Sequence, residues 1–273
     1  QQKDVIGILT SDWHLREDQP VCRADDYWQA QLSKLSYISG LQYKYQCPIY
    51  HAGDLFHHWK PSPYLLSTFM RHVYPEFGFF TIYGNHDLPQ HSIESAYKCG
   101  LNTLQTAEWI TIWPGVHWEQ RPVNGILEAG RLGSKNRIKV LMWHVMTWKG
   151  QQPWPGCQDP QAHEVIEQVE HLEPDIVLTG HNHKTFTEHH HGITLINPGS
   201  MMRYKADQVN HIPCIYLLYS DGTYMHHTLP YPEGVVSRDH IEAAEGDTSR
   251  YQAFLKQVRE DAPRISFQDN LYQ

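Results

Sequence analysis

Apolar and polar positions follow one another along this chain in a recurring order: a short hydrophobic run, a polar loop, then apolar residues at helical spacing. Val5 to Thr10 ("VIGILT") is a nearly continuous β-branched run that predicts a buried strand, and it gives way to Ser11-Asp12-Trp13-His14. From Asp25 to about Tyr45, Trp28, Leu32, Leu35, Ile38 and Leu41 recur at helical spacing, and Asp25 or Asp26 can cap, which predicts a long amphipathic helix. "CPIYHAGD" repeats the strand-to-loop step, a helix is expected from near Pro63 through Leu65, Leu66, Phe69 and Val73, and "FGFFTIYGNHD" takes the step a third time. After a mixed stretch of short strands and turns, "IKVLMWH" and "DIVLTGHNH" take it twice more, with a helix expected between Gln161 and Leu172. "TFTEHH", "ITLIN", "CIYLLYS" and "TYMHHTL" then alternate like antiparallel strands, with Gly192 and Asp221-Gly222 where turns are needed. The pattern is mixed α and β, and five polar loops after five strands can converge on one site at the strands' carboxyl ends.

Composition narrows the class. The chain has 273 residues, 40% hydrophobic and 19% charged, which suits one large globular domain or one domain with a small appendage. Its last forty residues are charged, lack any strand signal and predict a partial helix around Tyr251 to Val258. No apolar run approaches the roughly 18 residues of a membrane helix. Five scattered cysteines without a C-x-x-C pair argue against a disulfide framework or a zinc ribbon, so a reducing, cytoplasmic location is the expectation. A formal charge of −8 lacks the bulk basic signature of a nucleic-acid binder, whereas 20 histidines direct attention to metal chemistry.

Taken singly, Asp12-x-His14, Gly53-Asp54, Gly84-Asn85-His86-Asp87, His144 and Gly180-His181-Asn182-His183 are each ambiguous. Together they place Asp, His, Asp, Asn, His, His and His after successive strands, enough donors for two metal ions. Two divalent ions about 3.5–4 Å apart can clamp a phosphoryl group if a carboxylate is shared between them, and Asp54 is the residue expected to bridge. Oxygen and imidazole donors without thiolate suit manganese first, with iron, zinc or magnesium as alternatives.

These five blocks resemble those of the calcineurin-like metallophosphoesterases, D-x-H, G-D, G-N-H-[DE], H and G-H-x-H, over roughly Val5 to Arg203. The resemblance implies an α+β fold, a four-layer αββα sandwich of two mixed sheets flanked by helices. Residues 1–230 would form the metallophosphoesterase domain, and 231–273 a C-terminal helical tail or reduced cap. It implies that Asp12, His14, Asp54 and His183 hold one ion and Asp54, Asn85, His144 and His181 the other, with a hydroxide between them as nucleophile. His86 would then stabilise the transition state or protonate the leaving oxygen, oriented by a hydrogen bond that Asp87 accepts.

The second block is longer than the superfamily minimum. "AGDLFHHWKPS" resembles the G-D-L-F-H-x-x-x-P-S stretch of SbcD-type DNA nucleases. This implies His57 as a second catalytic or positioning histidine, with His58 a decoy, and single- or double-stranded DNA as substrate. It also implies an SbcC-type ATPase partner, a homodimer through the long helix from Asp25, and relatives encoded by phages. "NPGSMMRYK" resembles that branch's loop after the last metal histidines, where Arg203 and Lys205, together with Lys60, would touch phosphate. One departure is that the stretch between Asn85 and His144 is shorter than in typical relatives. Two rival readings stand beside the nuclease: a small-molecule phosphodiesterase or nucleotide-type pyrophosphatase, which shares the metal blocks, and a non-catalytic scaffold. Trp143, Trp148 and Trp154 flank His144 and could stack on a base, although tryptophans beside a buried strand are more often core.

Overall fold

A computed structural model describes residues 3–113, 126–129 and 137–239 of the chain. In chain order its elements are β1 (Val5–Thr10), α1 (Tyr27–Tyr45), β2 (Ile49–His51), α2 (Pro63–His72), β3 (Phe79–Thr81), α3 (Gly100–Thr106), β4 (Thr111–Ile112) and β5 (Ile126–Ala129). They continue with β6 (Ile138–His144), α4 (Ala162–Val169), β7 (Ile176–Gly180), β8 (Phe186–His190), β9 (Ile193–Asn197), β10 (Cys214–Tyr219) and β11 (Tyr224–Thr228). One sheet has the order β11-β10-β1-β2-β3-β4 and the other β5-β6-β7-β9-β8, and both mix parallel and antiparallel pairs.

Side-chain alternation divides the interior into three layers. On β10, Cys214, Tyr216 and Leu218 join Val140, Met142, Ile176 and Leu178 between the sheets, while Ile215 and Leu217 face the opposite way, toward the core under α1, α2 and α3. Leu141, Trp143 and Val177 pack on the outer face of the second sheet against Val165, Ile166 and Val169 of α4. The result is the expected helix–sheet–sheet–helix sandwich. β1 reads as continuously apolar because both its faces are buried. A bulge between Val5 and Gly7 shifts its register, so Ile6 and Leu9 face the inter-sheet layer and Val5 and Ile8 the helices.

Local chemistry fixes the helix starts. Asp26 caps α1 by accepting from the Gln29 amide, and Ser62 caps α2 by accepting from Leu65 at 3.0 Å, with Pro63 at the first helical position. α3 and the short 3₁₀ turns at Pro89–His91 and Ile93–Lys98 fall in the stretch expected only as strands and turns. Leu101 and Leu104 alone anchor α3 in the core, too few apolar positions to register as a helical period.

β1, β2 and β3 are parallel, as are β6, β7 and β9, so the loops after β1, β2, β3, β6 and β7 meet at one end of the sandwich. The described part of the expected tail is not helical through Ser237. It runs back along the loop after β1, with Ala24 donating to Val235 at 3.0 Å and Ser237 to Cys22 at 2.7 Å. The helix expected around Tyr251 to Val258 lies outside the described residues. Among the described residues no helix is long and apolar enough to cross a membrane. All five cysteines are buried and unpaired.

Candidate metal centre

The loops after β1 and β2 extend their strands' pairing past the sheet edge. Asp12 donates to Gly53 (3.0 Å), His14 to Asp54 (3.0 Å), Leu15 to Leu55 (2.9 Å) and His57 back to Leu15 (3.0 Å), all through main-chain atoms. This ladder fixes Asp12, His14, Asp54 and His57 relative to one another. Asp12, His14, Asp54 and His181 hold positive φ angles of 50°, 46°, 58° and 81°. Such conformations cost energy for non-glycine residues and persist only where the surroundings over-determine them.

Two glycines permit close approach of the loops. A Cβ on Gly84 would stand 2.2 Å from Asp54 Oδ1 and 2.4 Å from the Asp54 amide; one on Gly180 would stand 2.5 Å from the Ala52 carbonyl and 2.9 Å from His144 Nδ1. Gly84→Ala is therefore expected to cost about 1–3 kcal/mol through overpacking and to weaken metal retention. Thermal melting and metal analysis of the variant check this, and a native melting point would contradict it.

The seven residues expected as ligands are brought together. Asp12, His14 and His183 form one group of donor atoms lying within 4.8 Å of one another, and Asp54, His144 and His181 another. Asp54 Oδ2 joins them, standing 3.5 Å from His14 Nε2 and 3.4 Å from His144 Nε2. Asn85 Oδ1 completes the second group, 3.2 Å from His144 Nε2 and 3.0 Å from His181 Nδ1. His14 Nε2 and His183 Nε2 are 3.2 Å apart, and His183 Nε2 lies 3.8 Å from Asp12 Oδ1.

The donor set fits divalent cations on its own chemistry. Asp54 Oδ2 is buried and has no hydrogen-bond partner, a costly condition for a carboxylate oxygen unless a cation satisfies it. His144 Nδ1 donates to the Ala52 carbonyl at 2.7 Å, which turns Nε2 toward Asp54 and Asn85. Burial opposes a charge on His144, but the Asp54 carboxylate raises it to about 9. Burial pushes His181 down to about 4 and His183 down to about 3, so both are neutral and ready to ligate near neutrality. Burial opposes ionisation of Asp54 as well, yet the His144 and His14 rings hold it well below the usual carboxylate range.

Below the ligands, a second set of contacts holds the loops. Asp12 accepts the His181 amide on both oxygens at 3.0 and 3.1 Å. Asn197 donates to the Asn182 and Lys184 carbonyls at 2.7 and 2.6 Å, and Asn182 turns away from the centre to the Thr147 carbonyl at 2.7 Å.

Asp87 departs from expectation. Its oxygens accept the amides of Asp54 (2.8 Å), Leu55 (3.3 Å), Gly84 (3.0 Å) and Phe56 (3.2 Å), so it clamps the bridging loop rather than orienting His86. The His86 ring is instead held by the His57 carbonyl, which accepts from Nδ1 at 2.9 Å. The His86 and His57 rings stack with centroids 5.2 Å apart beside His14, and the three form a further histidine group.

A cleft of about 790 Å³ opens over Asp54, His86, His181 and His183 and runs past Trp154, Lys184, Lys205 and His226. Lys205 thus borders it as expected for a substrate contact, while Lys60 is exposed and is not among the residues bordering it. Arg203 requires correction. It is 5% exposed, donates to the Val209 and Pro232 carbonyls and lies over the Tyr231 ring, so it braces the 203–232 contact instead of meeting phosphate. Of the three tryptophans only Trp154 borders the cleft; Trp143 packs under α4, and Trp148 is buried with its indole bonded to the Asp159 carbonyl.

Two nearby residues carried no sequence signal. Tyr204 is buried with its hydroxyl 3.2 Å from His183 Nε2 and its ring against His14. Arg16 contacts His57.

The family model of the calcineurin-like phosphoesterase superfamily domain matches residues 8–218. The chain belongs to that superfamily. The match spans all seven ligand candidates of this phosphoesterase and ends within β10. No curated protein matches it. Among solved structures it is similar to an archaeal phosphodiesterase, at 16% identity, TM-score 0.44, over 82% of this chain and 99% of that one. It is also similar to a Vps29 single mutant from Entamoeba histolytica, at 16% identity, TM-score 0.41, over 83% and 99%. A third is a conserved phosphoesterase-like protein from Streptococcus pneumoniae, at 13% identity, TM-score 0.36, over 84% and 99%.

Proposed function

We propose that this phosphoesterase is a dinuclear-metal phosphodiesterase that cleaves DNA. The observation carrying the dinuclear part is Asp54 Oδ2, an unpartnered carboxylate oxygen shared between two donor groups. Asp12, His14, Asp54 and His183 would hold one ion and Asp54, Asn85, His144 and His181 the other, with manganese the best-suited of the candidates. Ions held there supply Lewis-acid charge to a phosphoryl group and lower the pKa of water toward neutrality.

The protein's own part is positional. The stacked His57 and His86 rings lie beside the centre without belonging to either donor pair, which suits them to act on substrate oxygens. His86 Nδ1 donates to a carbonyl, so Nε2 is the nitrogen left to face the leaving oxygen, and it can give that oxygen a proton only from the doubly protonated ring, which returns to the Nδ1–H form. Support for DNA comes from the "GDLFH" and "KPS" residues and from a cleft of about 790 Å³ bordered by Lys184 and Lys205, with Trp154 offering a stacking face.

One observation favours the small-molecule phosphodiesterase instead. With Arg203 folded inward, the cations bordering the cleft are Lys184 and Lys205, on a chain of net charge −8. A substrate panel separates the two. Single- and double-stranded DNA, a cyclic nucleotide and a generic phosphodiester are incubated with manganese, with a chelator control. Metal-dependent DNA cleavage is expected, and small esters turning over with DNA intact would remove the nuclease reading. A chain that binds no metal would point to a scaffold.

A further inference from the structure

We infer that Arg16 is a positioning residue that fixes the ring proton of His57 on Nδ1, making His57 a one-way hydrogen-bond donor at the centre. All the nitrogens of a guanidinium donate and none accepts. Arg16 Nη1 lies 3.0 Å from His57 Nε2, so Nε2 must supply the lone pair. A neutral imidazole has only one such nitrogen, and the proton is therefore on Nδ1. That Nδ1 is buried and has no hydrogen-bond partner within the protein.

Arg16 is built to stay in place. Asp18 grips it from two sides, accepting from Nε at 2.9 Å on one oxygen and from Nη2 on the other. The buried side chain of Gln31, from α1, pairs with the main chain of the same residue, accepting from its amide at 3.1 Å and donating to its carbonyl at 2.7 Å. The arginine side chain is 16% exposed, so its contact with His57 is largely shielded from water.

The consequence is a division of labour between two stacked rings. The His57 carbonyl takes the Nδ1 proton of His86, leaving His86 Nε2 free to give or take a proton, whereas the His57 side chain can only give a hydrogen bond from Nδ1. A buried N–H without a protein partner awaits an acceptor from elsewhere, and His14, His86 and Tyr204 surround this ring. A phosphoryl oxygen of the substrate is the acceptor proposed, and it must pass those rings to reach Nδ1, because the atom is buried and His57 does not border the cleft. The same contact withholds His57 from the His14–His57–His86 group as a metal ligand, because its one lone pair already meets Arg16. Naming the acceptor rests on the phosphodiesterase reading above; the tautomer does not.

The test is long-range ¹H–¹⁵N correlation on the full-length, metal-free protein with ¹⁵N-labelled histidine, the His57 signals being assigned by their loss in His57→Asn. Wild type is expected to show a protonated Nδ1 and a bare Nε2. Arg16→Lys, whose ammonium also donates, is expected to preserve that pattern, and Arg16→Met to shift His57 toward the Nε2–H form. A protonated Nε2 in the wild type overturns the inference without requiring any variant to fold, and so does an unchanged tautomer in Arg16→Met. If the tautomers behave as stated but His57→Asn cleaves DNA at the wild-type rate, the role given to His57 in cleavage fails while the Arg16 assignment stands.

Discussion

Asp54→Ala is expected to lose both metal ions together and with them all metal-dependent turnover. In the proposed two-ion arrangement both sites would share one oxygen, Oδ2, at 3.5 Å from His14 Nε2 and 3.4 Å from His144 Nε2, so its removal would weaken both sites at once. The other oxygen, Oδ1, accepts the His86 amide at 2.8 Å, and its loss leaves that amide unpaired, at a cost of about 1–3 kcal/mol where it is buried. Asp54→Asn separates the two effects: an amide oxygen can keep the His86 bond while the bridging negative charge is lost. Metal analysis after dialysis, with melting curves on both variants, is the measurement. Two ions retained by a folded Asp54→Ala protein would contradict the bridge.

His86→Ala is expected to do the opposite, keeping its metal and losing its chemistry. The ring is absent from both the Asp12–His14–His183 and the Asp54–His144–His181 groups, the proposed ion sites, and belongs only to the separate His14–His57–His86 group. On the proposed mechanism the loss is that of a proton donor beside the reacting phosphate, and turnover should fall by about 10²–10⁴. The decline should sit in kcat with KM little altered, the pattern of an interaction made in the transition state. Metal content falling in parallel with activity would instead make His86 part of the binding shell.

The sequence was most informative where chemistry and periodicity coincide. Apolar runs ending in Asp12, Asp54, Asn85, His144 and His181 mark strand ends, and strand ends are where the main chain must leave the sheet; the structure sets all five at one end of the sandwich. Helix α1 was legible from Leu35, Ile38 and Leu41 and from a capping aspartate. Long-range partners were not. Arg203 and Lys205 look alike as basic residues beside a metal loop, but carbonyls of Val209 and Pro232 take in one while the other remains exposed at the cleft. Asp87 next to His86 suggests a bond between the two side chains, whereas four amides from the loops around Asp54 and Gly84 claim the carboxylate first.

The histidine triple at 189–191 shows the same limit on a smaller scale. His189 and His190 lie within β8 and only His191 is in the turn before β9. His190 and His191 reach Glu167 at 3.1 Å and Glu170 at 2.8 Å, carboxylates supplied by α4 and the turn after it. Nothing in the local sequence announces that packing.

The arrangement proposed for the centre is a pair of ions around one carboxylate. Anomalous diffraction from a manganese-loaded crystal addresses it directly. Two peaks about 3.5–4 Å apart, one on each side of Asp54 Oδ2, are predicted. A single peak, or density centred among His14, His57 and His86, would contradict it.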